Sequence, residues 1–198
     1  DELSLYRRAL PEIEVEAIYQ AGPAGKCGLS PLRPTGLAAY WHFDETSGAV
    51  AHDAVGHFDG LLSQGARFVP GGISGNALQL DRTANGYVNF GDVLGEVNTS
   101  FSVVAWVKMA AGDATENSLV LAKHEAGYVN GYFVNINRSG LRGADDKAMF
   151  FAGDPSLNVP ISTTDVNDGR WHQVVAVHEL GGNDLIYIDG APAEAQQT

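Results

Sequence analysis

Short runs in which apolar and polar residues alternate recur along the chain from residue 36 onward. Such a period of two is typical of β-strands with one buried face. Turn pairs such as Asn85-Gly86 and Asp189-Gly190 separate the runs. Short strands at this spacing predict an all-β fold, an antiparallel β-sandwich. We predict strands at 37–43, 66–69, 77–80, 87–90, 101–108, 119–123, 132–136, 148–152, 171–178 and 185–188.

The first 27 residues have a different pattern. Residues 2–6 alternate with a period of two and predict a short strand. The period then changes to that of a short helix, with Pro11 in its first turn and Gly22 just after its end. The helical spacing predicts one buried face made of three apolar residues, Leu10, Ile13 and Ala17.

Residues 21–36 hold four glycines and three prolines, which predicts a linker. At the other end of the chain, the strand at 185–188 starts a hairpin with little sequence left for its return. The sheet would therefore keep an open edge, which natural sheets normally cover. Residues 1–6 are a candidate for the missing strand.

Composition narrows the classes of partner. The chain has 198 residues, 44% of them hydrophobic, and 24 acidic against 12 basic side chains give a net charge of −12. Such an acidic surface repels nucleic acid and anionic lipid. No apolar run is long enough for membrane insertion, and the single Cys27 excludes an intramolecular disulfide. Cations, especially Ca2+, and neutral polysaccharides remain compatible partners.

A series of loose motifs, taken in order, resembles the laminin G-like/pentraxin-like jelly rolls of the concanavalin A-like lectin/glucanase superfamily. The resemblance is closest to the tandem repeats of bacterial secreted proteins, and it implies a jelly-roll β-sandwich with one short N-terminal helix. The matching stretches lie at 36–45, 47–48, 53–56, 59–60, 75–81, 87–88, 101–107, 169–174 and 187–190.

The resemblance also interprets the front of the chain. Residues 1–27 look like the closing strand and helix of such a domain, residues 28–36 are a linker, and residues 37–198 are a body that lacks its own C-terminal strand. Because the chain opens at Asp1, we interpret it as a piece cut from an array of repeats. The closing strand then either is the tail of the preceding repeat or completes this sandwich, within one chain or by exchange between chains.

The sequence argues against catalysis. Sugar hydrolases with this sandwich carry two facing carboxylates on a strand, whereas the nearest string here, Glu12 to Glu16, has no Asp and lies in the predicted helix. No nucleophile elbow, zinc-binding helix pair or phosphate loop is present. We therefore expect a non-enzyme.

Laminin G-like domains often hold a structural Ca2+, so the resemblance directs attention to acids in loops. Calcium takes six to eight oxygens from flexible loops. Our candidate ligands are Asp53 and Asp59 in the 44–59 loop, joined by Asp81 or Asp1 from a neighbouring loop. The alternative is that these residues cap turns, as Asp and Asn routinely do.

A sugar-binding site needs an aromatic ring open to solvent. The candidates are Tyr128 and Tyr132, which flank Asn130-Gly131. Core packing is the alternative for both rings. The three tryptophans lie within strand patterns and are expected in the core: Trp41, Trp106 and Trp171.

The leading hypothesis is a non-catalytic extracellular or cell-surface module for carbohydrate binding or adhesion, with Ca2+ as a candidate cofactor. Its expected partners are glycans or surface glycoproteins and the neighbouring repeats of the same protein. Two alternatives stay open, a structural spacer that binds nothing and a targeting module attached to a secreted glycoside hydrolase.

Overall fold

The computed structural model describes residues 1–22, 35–94, 98–113, 117–124, 131–136, 145–153 and 159–195. Within them the chain forms one α-helix, α1 (Glu12–Gln20), and strands that we number β1 to β16. The first eight strands are β1 (Leu3–Tyr6), β2 (Leu37–Trp41), β3 (Val50–Ala51), β4 (Gly60–Leu62), β5 (Ala66–Pro70), β6 (Asn76–Leu80), β7 (Val88–Asn89) and β8 (Phe101–Val107). The others are β9 (Ser118–His124), β10 (Gly131–Ile136), β11 (Lys147–Ala152), β12 (Ile161–Asp165), β13 (His172–His178), β14 (Leu185–Ile188), β15 (Ala191–Pro192) and β16 (Glu194–Ala195).

Two large antiparallel sheets form the body. One has six strands in the order β15-β14-β13-β8-β1-β2, and the other has five in the order β16-β12-β11-β10-β9. A small β3-β4-β7 sheet and the separate β5–β6 hairpin complete the described strands. The predicted all-β antiparallel sandwich is confirmed.

The main core lies between the two large sheets. Alternate residues of β8 and β13, such as Val103 and Val174, point into it and meet Val134 and Phe150 from the five-stranded sheet. The intervening residues of β8 and β13, such as Val104 and Val175, point the other way and are buried as well. This explains why both strands are apolar on consecutive positions, since both of their faces are covered.

Helix α1 covers part of the outer face of the six-stranded sheet. Val15 and Ile18 face the sheet and are buried together with Leu10. The predicted helix face was wrong in part, because Ile13 is 72% exposed and Ala17 is exposed too. Among the described residues, no helix combines the length and hydropathy that a membrane crossing requires.

The N-terminal strand β1 is an interior strand of the six-stranded sheet. It pairs with β8 on one side and with β2 on the other, and its four residues are all buried. The expectation that it would lie at the open edge left by the C-terminal hairpin was wrong, because the neighbour of β14 there is the short β15. Leu3 and Leu5 instead enter the main core in the middle of the sheet.

Candidate functional site

The loop that follows β2 is organised around Asp53. This residue forms a bridge with Trp41, and its Oδ1 accepts the backbone N–H groups of Tyr40 at 2.9 Å and Val55 at 3.0 Å. The Asp53 N–H in turn donates to Oδ1 of Asp59 at 2.9 Å. The predicted pair Asp53 and Asp59 is therefore brought together, but each carboxylate accepts backbone amides as a turn cap does.

Asp59 is solvent-exposed and also contacts His52, whose Nδ1 lies 3.1 Å from its Oδ2. The backbone N–H of Asp53 lowers the pKa of the Asp59 carboxyl, and the hydrogen bond from His52 lowers it further. Asp59 is thus a stable carboxylate at neutral pH.

The other two predicted calcium ligands lie in different turns. Asp81 Oδ1 accepts the Thr83 N–H at 2.8 Å and the Thr83 hydroxyl at 2.7 Å, and these bonds lower the Asp81 pKa. Asp1 Oδ2 accepts the N–H of Ile73 at 2.8 Å.

Over the residues that the structure describes, no three acidic, histidine or cysteine side chains gather closely enough to hold a metal ion. Asp53 and Asp59 therefore lie together, whereas Asp81 and Asp1 do not join them in one group, and the calcium site stays a prediction. Their short side chains reach the nearest backbone donors first.

The structure also bears on the aromatic residues that were predicted to bind sugar. Tyr132 is 2% exposed and lies in the main core, where its ring centroid is 4.6 Å from that of Phe101. Burial raises the pKa of its hydroxyl well above the ordinary value. Its ring is packed in the core and is not open to solvent, so this prediction was wrong, whereas Tyr128 and Asn130 lie outside the described residues.

A cleft of about 1050 Å³ opens between the segment that carries β6 and β7 and the strand β9. Three large exposed side chains line it: Leu80 at 45%, Tyr87 at 57% and Leu119 at 47% exposed. The buried core residues Tyr132 and Ile136 form part of its floor.

Ligand sites are usually clefts lined by apolar and aromatic side chains together with a few polar groups. This cleft, with an exposed tyrosine beside it, has that composition. Sequence reasoning missed Tyr87 because its pattern predicted a strand residue. Its position directly after the Asn85-Gly86 turn is the signal that could have shown it at the surface.

A family model described as the concanavalin A-like lectin/glucanases superfamily, of laminin G type, matches residues 82–198. This is more than half of the chain. The chain belongs to the concanavalin A-like lectin/glucanase superfamily. Neither a curated protein nor a solved structure matches it.

Membership of this laminin G-like family supports a carbohydrate-binding or adhesion-type module, and such domains are typically non-catalytic. The matched span runs from the turn before β7 to the end of the chain and leaves out β1 and α1. The interior position of β1 in this laminin G-like sandwich therefore comes from the structure alone.

Two histidines at the ends of β13 contact carboxylates in the turns next to the β13–β14 hairpin of the laminin G-like domain. At the start of β13, His172 lies between two carboxylates, with Nδ1 2.8 Å from Asp189 Oδ2 and Nε2 3.0 Å from Asp168 Oδ1. At its end, His178 Nδ1 lies 2.7 Å from Asp184 Oδ1. These contacts hold the turns on both sides of the hairpin.

The His172 cluster predicts a pH-dependent contribution to stability. Burial lowers the pKa of His172, but the hydrogen bonds to Asp189 and Asp168 raise it by more, so the pKa lies above its ordinary value. A raised pKa favours the folded state fully below about pH 6.5, and this stabilisation is lost as pH rises through the folded-state pKa. We expect His172→Gln to lower Tm more at pH 5.5 than at pH 9, measured by thermal unfolding across that range.

The pKa of Asp168 is lowered, first by the backbone N–H of Arg170 and then by His172. The stabilisation that the Asp168 carboxylate gives to the folded state is therefore fully present above about pH 4. It is lost only as pH falls through the folded-state pKa of Asp168, which is below the range of about pH 5.5 to 9 used in the test. His52→Gln serves as the control, because that side chain is 68% exposed and contacts one exposed carboxylate instead of two, so its effect on Tm should be smaller than that of His172→Gln at pH 5.5. A Tm difference for His172→Gln that is the same at both pH values would contradict the prediction.

Proposed function

We propose that the chain is a non-catalytic, extracellular laminin G-like module that binds carbohydrate and serves cell-surface adhesion. The observation that carries this proposal is the cleft beside β9, where exposed apolar side chains gather in a member of a lectin superfamily. Apolar side chains exposed together around a cleft usually mark an interaction site or a ligand-binding groove, whereas exposed apolar residues scattered singly are normal. A structural spacer would need no such cleft.

The state of the loop acids supports a non-catalytic role. A hydrolase needs one carboxylic acid with a raised pKa to protonate the leaving oxygen. In contrast, backbone amides and neighbouring side chains lower the pKa of both Asp59 and Asp81. These carboxylates are suited to holding turns and poorly suited to donating protons.

The net charge of −12 restricts the class of glycan. A polyanionic glycan would be repelled at long range, and a neutral one would not. We therefore propose neutral oligosaccharides, displayed on a cell surface or a surface glycoprotein, as the partners.

A glycan array that carries neutral and sulfated glycans tests the proposal directly. We expect the folded protein to bind at least one neutral glycan and to leave the sulfated ones unbound, while heat-unfolded protein binds none. Reading the array in calcium buffer and again in EDTA tests whether glycan binding depends on calcium. A calcium ion held by Asp53 and Asp59 would need carbonyl oxygens as further ligands. Signals that survive EDTA contradict calcium dependence, and an array without signals favours the spacer.

The neighbouring repeats of the same protein are the second class of partner that we propose. Strand β1 lies inside the sheet beside β2, although residues 7–36 separate the two strands in the sequence. The Arg7 N–H donates to the carbonyl of Gly36 at 2.7 Å, just before β2 begins. Because so much chain lies between the two strands, the same position in the sheet can receive the strand from an adjacent repeat or a second copy. Exchange of residues 1–22 would then join modules without a new interface.

A further inference from the structure

We propose that Tyr87 is the ring on which a neutral oligosaccharide stacks, and that the cleft between the β6–β7 segment and β9 is the sugar site. The inference rests on the proposed carbohydrate-binding function and assigns the residue that carries it. Among the large apolar side chains exposed in the described ranges, Tyr87 is the aromatic one. It lines the cleft together with residues of the edge strand β9.

The backbone on both sides of Tyr87 is fixed. Its N–H donates to Ser63 Oγ at 2.8 Å, and its carbonyl accepts the Ser63 N–H at 2.9 Å. Ser63 Oγ also donates to the carbonyl of Asn85 at 2.9 Å. Three hydrogen bonds to one serine therefore fix the backbone that carries the Tyr87 ring before any ligand arrives.

The turn that precedes Tyr87 is equally constrained. Asp81 caps it through Thr83, and the Gly86 N–H donates to the Asp81 carbonyl at 2.7 Å. A Cβ at Gly65 would lie 2.6 Å from both the Ala84 carbonyl oxygen and the Gly86 nitrogen, so only glycine allows the two backbone segments to approach this closely. A turn built in this way presents the exposed ring on a backbone that loses little freedom on binding.

The surroundings of the ring match a neutral sugar. Asn85 and Asn89 stand on either side of Tyr87 in the sequence, and both line the cleft. Their amide groups can donate to and accept from hydroxyl groups, while Leu80 and Leu119 supply apolar contact for the C–H faces of the sugar rings.

Charge and size point the same way. Asp81 and Lys108, which carry opposite charges, both line the cleft, so no single sign dominates there to select an ion. The volume of about 1050 Å³ lies just above the roughly 300–1,000 Å³ usual for ligand sites and fits several linked sugars better than one. The occupant is therefore a segment of a neutral oligosaccharide.

The test is a set of titrations with the neutral hexasaccharides of glucose, galactose, mannose and N-acetylglucosamine. We expect at least one to bind the wild-type chain, Tyr87→Ala to weaken that binding roughly tenfold or more, and Tyr87→Phe to stay within about threefold of wild type. Leu61→Ala is the matched control, because Leu61 is 61% exposed but does not line the cleft, and it should leave binding unchanged. Equal Tm values for the variants would show that each one is folded.

Nitration of Tyr87, mapped by mass spectrometry, gives a second readout that does not depend on a variant. The bound hexasaccharide should slow nitration at Tyr87. Binding that neither responds to Tyr87→Ala nor protects Tyr87 would overturn the assignment and leave the proposed carbohydrate binding standing. Failure of all four sugars to bind would overturn the assignment, and a glycan array without signals would remove the proposed function with it.

Discussion

Removal of residues 1–22 is expected to abolish cooperative folding of the rest of the chain. The deletion takes an interior strand out of the six-stranded sheet, so that β8 and β2 lose a hydrogen-bonded neighbour. It also removes six large side chains, each at most 5% exposed: Leu3, Leu5, Tyr6, Leu10, Val15 and Ile18. Burial of such a side chain contributes about 1.5–3 kcal/mol, so the six together rival the ~5–15 kcal/mol by which a domain is stable.

Circular dichroism and thermal unfolding of residues 23–198 would check this. A peptide of residues 1–22, added in excess, should restore the cooperative transition, because the slot between β8 and β2 is closed by pairing and burial and needs no covalent link. Ile13→Ala in the full chain is the control for the helix, since Ile13 is 72% exposed and its loss should change stability by less than about 0.5 kcal/mol. If residues 23–198 alone unfold as cooperatively and at the same Tm as the full chain, the interior role of β1 is refuted.

Trp41→Ala is expected to destabilise the domain by about 3–5 kcal/mol. Trp41 is fully buried, its ring centroid lies 4.1 Å from that of Phe90, and its Nε1–H donates to the Phe58 carbonyl at 2.8 Å. The backbone of Trp41 also forms a bridge with Asp53, while the indole bond to Phe58 links the edge strand β2 to the 53–59 loop through the side chain. Its loss leaves a large cavity and a carbonyl without its donor.

Urea denaturation, compared with the wild type, measures this change in the free energy of unfolding. Trp171→Ala is the matched control, because that side chain is only half-buried and its removal should cost clearly less. Equal losses in the two variants would mean that Trp41 has no special role in joining the loop to the sheet.

The strands of the body were predictable because the alternation of apolar and polar residues over a few neighbouring positions indicates a strand. The alternation in 101–108 and 171–178 corresponds to β8 and β13 within one residue at each end, and the pair Asp189-Gly190 forms the predicted turn with positive φ at both residues. Strand β12 was missed, since Ser162, Thr163 and Thr164 interrupt the apolar pattern that would have revealed it. These polar residues form a strand because β12 pairs with β11 on one side and with β16 on the other, and composition alone does not indicate this pairing.

The candidate site was less predictable. Alternation shows that Tyr132 and Phe133 take opposite faces of β10, but not that both faces are covered. Tyr132 lies in the main core and Phe133 in a second buried cluster, whereas Tyr87 is exposed to solvent. In the same way, Asp53 and Asp59 are close along the chain and meet, whereas Asp81 and Asp1 are held by turns of their own.

The sequence by itself determined the fold class, most strand positions and the short helix, because the hydrophobic period and turn residues act over a few neighbouring positions. Only the tertiary structure decided that β1 lies between β8 and β2, that Val15 and Ile18 form the buried helix face, and that an exposed ring borders a cleft beside β9. Each of these depends on contacts between residues far apart in the chain. Such contacts are fixed by which surfaces can be buried together, and no local pattern records that choice.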